Sequence, residues 1–333
     1  MKIISCAGYY DSGSSAVTNL CREYENVCSI GGETEIRFIQ DPGGIADLEY
    51  NLVENNHRHN TSDAIKRFIR YMDYQNGTWY AKRYKEYFGE DLQVLTDKYI
   101  KDIVDLKAKS WWHGERIEWG KVKYFLDILY GRLLRTIFRG KVRGSQTFFA
   151  RNEFGYYTSI TKEDFYRATR NYIDQLFSIY NKEKKEYIVV DQLVPPTNCN
   201  RYVNYFNNIH IIIVDRDPRD IFIQSRVEHR YVIPVRDVYE YCQWYKITRC
   251  NRHENEPNIV LRLRFEDFIY DYENTVNKVE SFTGLKASDH KYKEEYFSII
   301  KSRENTGLFR KHTQFSKEIR VIEEQLGEFL YNF

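Results

Sequence analysis

The chain has 333 residues, 50 Lys and Arg against 48 Asp and Glu for a formal charge of +2, with 29% charged and 16% aromatic residues. An aromatic-rich, Pro-poor composition excludes a disordered or collagen-like chain, and the balanced charge excludes a general nucleic-acid binder, which carries an overall basic excess. At about 150 residues per domain the length suits two domains, or one open α/β domain carrying an insertion.

Lys2 to Ala7 reads as a short apolar strand, too short for the apolar region of a signal peptide. The longest apolar runs, such as Ile211 to Val214, fall far below the ~20 residues of a membrane span. Cysteines at 6, 21, 28, 199, 242 and 250 show no C-x-x-C spacing. Free thiols in a reducing cytoplasm are therefore expected, with no structural metal site.

The first strand runs into Gly8 to Ser15 and then a helix with Ala16, Val17, Leu20 and Cys21 on one face. Glu35 to Ile39 reads as a second strand. From about 45 to 182 the periods are helical. Thr61 and Thr96 are expected to cap helices there, a long helix is expected from about Trp119 to Phe138, and Thr161 with Asp164 opens another. Strands return at Tyr187–Val190, His210–Val214 and Asn258–Leu261, each followed by a helical stretch. Short runs apolar on both faces suit buried parallel strands. The expected fold is a single α/β domain over 1–333 with a mostly parallel sheet of about five strands. A large helical insertion over about 45–182 interrupts it, and a final amphipathic helix lies near Ser316 to Leu330.

Four segments carry chemistry. Gly8-x-x-x-x-Gly13-Ser14-Ser15 has the outline of a P-loop, G-x-x-x-x-G-K-[ST], with Ser14 at the Lys position. A Gly-rich turn opening a helix presents unpaired N–H groups to an anion, and Ser12, Ser14 and Ser15 add hydroxyls. An ordinary βα turn with serine caps is the plain alternative. The missing Lys disfavours an ordinary ATPase or kinase. In the second segment, a buried strand ends in Asp215-Arg216-Asp217-Pro218-Arg219-Asp220. Pro218 suits a first helical turn. Arg216 emerges at the carboxyl end of a parallel strand, where open α/β sheets bind ligands, and its guanidinium could clamp a phosphate or serve only in a salt-bridged cap. The third segment is Val260 to Phe268 with the following helix to Leu285. The fourth is Gly307-Leu308-Phe309-Arg310-Lys311.

In this order the four segments resemble the sulfotransferase superfamily, over roughly residues 1–40 and 186–330. Tyr10 to Ser15 is similar to that family's 5′-phosphosulfate loop, and Val214 to Asp220 to its 3′-phosphate strand and turn. Arg264 to Phe268 with Phe282 to Leu285 is similar to its R-Y-E-D-L … F-L-G-L segment, and Gly307 to Arg310 to its G-x-W-R/K loop. The resemblance implies a P-loop-like fold that transfers a sulfuryl group from 3′-phosphoadenosine 5′-phosphosulfate (PAPS) without a metal. It implies a cofactor site built from Ser12, Gly13, Ser14, Ser15, Arg216, Gln224, Ser225, Gly307, Arg310 and Lys311. The chain departs from the family in three places. Asp11 stands where the family has Lys or Arg, Gln224 where it has a phosphate-binding Ser, and Phe309 where it has Trp. An acid facing a sulfonate repels it, so Asp11 should point away or pair with a cation.

Transfer of this kind needs in-line positioning, charge stabilisation and a base for the acceptor proton. The resemblance implies a catalytic Glu near the second strand, Glu35 first and Glu33 next, and Asp191 is a third candidate at its strand end. His57 and Arg58 are candidate acceptor contacts. Residues 131–151 hold six basic side chains and no acid, with Arg132 and Arg135 on one helical face. That face could meet an anionic glycan, a pyrophosphate-linked lipid or an anionic membrane surface, or could simply be solvated. The acceptor is expected to be a carbohydrate hydroxyl, such as a cell-surface polysaccharide or its precursor. The expected setting is a bacterial cytoplasm, with no nucleic-acid polymer as partner. The alternatives are a P-loop-type kinase and a non-catalytic anion-binding module.

Overall fold

The computed structural model describes residues 1–30, 35–77, 83–138, 153–250 and 258–333. In chain order the main elements are β1 (Lys2–Gly8), α1 (Ser14–Arg22), β2 (Val27–Ile30), α2 (Arg58–Gln75), α3 (Asp91–Ile103), β3 (Leu106–Lys109), α4 (Gly120–Ile137), β4 (Phe154–Tyr157), α5 (Lys162–Tyr180), β5 (Tyr187–Asp191), β6 (Ile209–Asp215), α6 (Pro218–Val227), α7 (Val238–Cys250), β7 (Val260–Arg264), α8 (Tyr272–Thr283) and α9 (Ser316–Gln325). Two compact units divide them. The first takes residues 1–40, 86–89 and 173–333, and the second takes 41–85 and 90–172.

The first unit is built on one parallel sheet in the order β2-β5-β1-β6-β7. Its central strands are apolar on both faces because helices cover both sides; Ile3, Ile4, Cys6 and Ala7 of β1 are all buried. One face packs with α1 and α8 around Leu20, Val189, Ile212, Leu263 and Val279. A second apolar cluster gathers α6, α7 and α9 around Phe222, Tyr241, Tyr245 and Ile322. Each such side chain contributes roughly 1.5–3 kcal/mol by leaving water. The chain leaves β1 toward one side of the sheet, while β6 lies on the other side. The carboxyl end of β1 is therefore the switch point at which open α/β sheets form a ligand crevice. The register places Gly8 opposite Val214, and Cys6 opposite Asp191, so three strand ends open at one level.

The loop after β1 is held shut by its own residues. Ser12 Oγ accepts from the Tyr9 N–H at 2.9 Å and donates to the Val214 carbonyl at 2.8 Å. Gly13 has φ +93°, and a Cβ there would meet the Phe265 ring at 2.5 Å. Gly13→Ala is therefore expected to cost about 2–5 kcal/mol, from the left-handed backbone and the crowded ring together. A urea unfolding series that gives less than 1 kcal/mol would show that the loop relaxes around the methyl group.

Three expectations need correction. The strand beside β5 is Val27–Ile30, not Glu35–Ile39. Residues 35–40 run as irregular chain and a turn, with Ile36, Phe38 and Ile39 all buried. Adjacent buried side chains at 38 and 39 break the period of two that a strand would need. Thr61 caps nothing, because α2 begins three residues earlier with His57 at its N-cap. Thr96 lies inside α3, where its hydroxyl donates back to the Leu92 carbonyl at 2.7 Å, a bond open to Thr within a helix. Thr161 does act at a helix start, accepting from the Asp164 N–H at 3.2 Å and donating to its carboxylate at 2.8 Å.

The second unit has α2, α3 and the first part of α5, together with an antiparallel β3–β4 pair the sequence patterning did not suggest. Tyr99 stacks on Tyr172 at 4.7 Å and shares a hydrogen bond with Thr169 at 2.8 Å. No helix among the described residues is long and apolar enough to cross a membrane.

Candidate active site

Two groups of unpaired donors lie at the ends of adjacent strands. The first is the N-terminus of α1, where no side chain caps the backbone behind Gly13, leaving N–H groups directed at the crevice. The second is Arg216, at the end of β6 and only 3% exposed. Its guanidinium donates to the Asp11 carbonyl at 3.0 Å, to Gln224 Oε1 and to the Asn305 carbonyl. Its Nε is buried with no partner. Burial pulls this guanidinium below its usual value, against the charges of Asp220, Glu266 and Asp11. An orphaned N–H costs of order 1–3 kcal/mol, and a ligand oxygen that reached it would recover part of that cost.

Around Arg216 the fold collects the other candidates. Gln224 holds the guanidinium itself. Ser225, fully buried, donates to Asp11 Oδ2 at 2.9 Å, and Arg230 pairs with Asp11 Oδ1 at 3.1 Å. Asp11 is thus tied to a hydroxyl and a cation, which meets the expectation for an acid in this loop. Gly307, at φ +63°, donates its N–H to Asp220 Oδ2 at 2.7 Å. Burial lifts the Asp220 carboxyl to about 6 despite Arg216. Arg310 lies over the Phe309 and Phe333 rings, and Lys311 reaches the Glu304 carbonyl at 3.3 Å. Ser14 accepts from Gln192 Nε2 at 3.0 Å. Behind this layer, Arg249 stacks on Tyr9 and Tyr245 and clasps Asp215 at 2.7 Å and 2.9 Å. Burial pushes the Asp215 carboxyl up, but Arg249 outweighs it and holds the group below the usual range.

Beside the loop is a cavity of about 440 Å³, lined by Gly8, Tyr9, Tyr10, Glu35, Arg37, Gln40, Gln192, Pro196, Thr197, Trp244, Ile247 and Thr248. Glu35 lies in its wall, exposed and paired with Arg37 at 3.0 Å. The Ile36 N–H bonds the Asp191 carbonyl at 3.2 Å, so Glu35 and Asp191 are neighbours. Burial, then the Glu35 charge, lifts the Asp191 carboxyl to about 7. Glu33 lies outside the described residues.

The acceptor-side candidates all belong to the second unit. His57 is exposed at the start of α2, and Arg58 donates from Nε to His59 Nε2 at 3.1 Å. Arg132 and Arg135 are exposed on α4; the other basic residues of the 131–151 run lie outside the described residues. No group of three or more metal-ligating side chains occurs among the described residues. Sequence reasoning missed Arg37, Gln40, Gln192, Arg230, Trp244 and Asn305. None belongs to a motif; only folding brings them to the crevice.

The Asp191 carboxyl makes stability depend on pH. A carboxyl raised from 3.8 to about 7 binds more protons folded than unfolded, so stability falls as pH rises from about 4 to about 7. Above pH 7 the penalty is complete. Asp191→Asn removes it, so the variant should melt higher than the parent at pH 8 and equal it near pH 4. A gain independent of pH would mean that the carboxylate is already charged in the fold.

No protein-family model and no curated protein matches the chain. Among solved structures it is similar to a sulfotransferase domain of an olefin synthase from Synechococcus PCC 7002, at 11% identity and a TM-score of 0.39, covering 90% of this chain and 78% of that one. It is also similar to retinol dehydratase solved with androsterone and the inactive cofactor PAP, at 13% identity and a TM-score of 0.34, covering 100% and 83%. A third is a sulfotransferase from Mycobacterium avium, at 8% identity and a TM-score of 0.35, covering 93% and 68%.

Proposed function

We propose that the chain transfers a sulfuryl group from PAPS to a hydroxyl acceptor. The observation that carries this reading is the pairing of two anion sites on adjacent strands: the uncapped start of α1 and the buried Arg216 with its orphaned Nε. A nucleotide with phosphate at both the 5′ and 3′ positions of its ribose needs two such sites, and a single P-loop supplies one. The backbone behind Gly13, with Ser14 and Ser15, would hold the 5′ end. Arg216, Gln224 and Ser225 would hold the 3′-phosphate, with Gly307, Arg310 and Lys311 closing over it. When bound, the donor supplies the sulfuryl group and carries away the leaving phosphate. No metal is needed for this, because N–H groups and guanidinium groups neutralise the anion.

Glu35 accepts the proton of the acceptor hydroxyl. Arg37 is the cation placed to meet the sulfonate where the loop itself offers Asp11. In turning to that anion it releases Glu35 as a base. The acceptor in this reading is a carbohydrate hydroxyl, because Trp244 and Tyr10 offer ring faces to a sugar while Gln40, Gln192 and Thr248 offer polar groups.

Calorimetry tests the donor. Micromolar binding of 3′-phosphoadenosine 5′-phosphate without metal is the expected result. No heat with that nucleotide, together with binding of Mg-ATP, would overturn the reading in favour of a kinase. A screen of sugars with labelled PAPS then identifies the acceptor.

A further inference from the structure

The helix α4 is built inside out. Its only buried residue is Asp127, which pairs with Arg116 at 2.9 Å in the preceding 3-10 turn. Lys123 lies over the Trp119 ring. The outer face is apolar: Val122, Phe125, Leu126, Leu129, Leu133 and Ile137 recur at i, i+3, i+4, i+7, i+11 and i+15, and every one is exposed, Val122 by 75%, Leu133 by 58% and Ile137 by 61%. In a soluble helix that stripe would face a core. Scattered exposed apolar residues need no explanation, but a continuous stripe about 23 Å long marks a surface meant to be covered.

The charges choose the cover. Lys121, Arg132 and Arg135 are exposed along the edge of the stripe beside Phe125, whereas Lys123, on the other edge, pairs with Glu153 at 3.8 Å. The helix carries no exposed carboxylate, since Asp127 is buried. A second copy of α4 laid on this face would bring cations against cations, which is costly. An apolar stripe with three exposed cations along one edge is complementary to acyl chains below a layer of anionic headgroups.

We propose that α4 is an interfacial helix that seats the protein on an anionic lipid bilayer, its apolar stripe in the headgroup–acyl boundary and Lys121, Arg132 and Arg135 among the headgroups. The proposal does not rest on the donor reading, since none of these residues belongs to the nucleotide crevice.

Vesicle flotation of the full chain tests it, with phosphatidylglycerol-containing vesicles against pure phosphatidylcholine. Binding at least tenfold tighter to the anionic vesicles, weakened by about 0.5 M salt, roughly three times the physiological ~0.15 M, is the expected result. Leu126→Glu with Leu133→Glu should abolish flotation while the melting temperature holds, because both positions are exposed. Arg132→Glu with Arg135→Glu should weaken anionic-vesicle binding at least tenfold and leave no salt dependence. Equal binding to neutral vesicles, or no binding to either, overturns the proposal. A dimer in sedimentation that the Leu126→Glu, Leu133→Glu variant splits, without flotation, also overturns it and gives the stripe to a second copy.

Discussion

Glu35→Gln should lower turnover by roughly 10²–10⁴-fold, the usual contribution of a positioned acid–base group, while nucleotide affinity stays unchanged. The geometry supports Glu35 because it lies in the cavity wall beside Gly8 and Tyr10. Asp191 is the rival, with its carboxyl at about 7, near the value that suits a base at neutral pH. Access separates the two: Glu35 is exposed and lines the cavity, whereas Asp191 is half-buried and does not line it. Both variants therefore belong in one experiment, with steady-state rates across pH 5 to 9 and nucleotide binding by calorimetry. If Glu35→Gln keeps its rate, Glu35 is not the base. If Asp191→Asn then loses it, and the parent's rate rises through pH 7, the proton goes to Asp191.

Arg216→Ala should weaken binding of 3′-phosphoadenosine 5′-phosphate by well over tenfold. Charge-assisted hydrogen bonds contribute about 1.5–3 kcal/mol each, and each 1.4 kcal/mol is a factor of ten. The same change should lower stability by about 3–5 kcal/mol, the usual cost of leaving buried partners without their cation. The partners stranded are the carbonyls of Asp11 and Asn305 and the amide of Gln224, with the Asp220 and Glu266 carboxyls close by. Burial already lifts Glu266 to about 7 against the charge of Arg264. Arg216→Lys separates the two roles. It keeps the positive charge but loses the planar fork, so it should recover part of the stability and little of the affinity. Unchanged affinity in Arg216→Ala, measured well below its melting temperature, would reduce Arg216 to a strut between loops.

The basic run at 131–151 shows how far charge counting goes. A total of +2 conceals it, and the sequence leaves glycan, lipid and solvent open as its partners. The orientation of α4 narrows the choice, because the apolar stripe beside Arg132 and Arg135 faces outward while Asp127 faces in. Periodicity finds such a stripe, but it cannot say whether a core or solvent lies opposite.

The parallel strands at β1, β5 and β6 were legible because each is an apolar run bounded by turn signals, β7 only at its first two residues because its Val-Leu-Arg-Leu-Arg alternates, and the turn after β1 because Ser12 to Ser15 are contiguous Ser and Gly. The second strand was misread because Ile36, Phe38 and Ile39 are as apolar as a strand but anchor a turn instead, and local pattern cannot distinguish these fates. The sequence alone determined the turn from β1 into α1, the apolar strands β5 and β6 and the residue types at the crevice, since short-range sterics and burial set them. Only the tertiary structure decided which groups meet. Asp11 joins Ser225 and Arg230, Arg216 reaches Asn305, and Glu35 comes beside Asp191. These partners lie roughly 90 to 220 positions apart, and only closure of the sheet brings them within hydrogen-bonding or electrostatic reach.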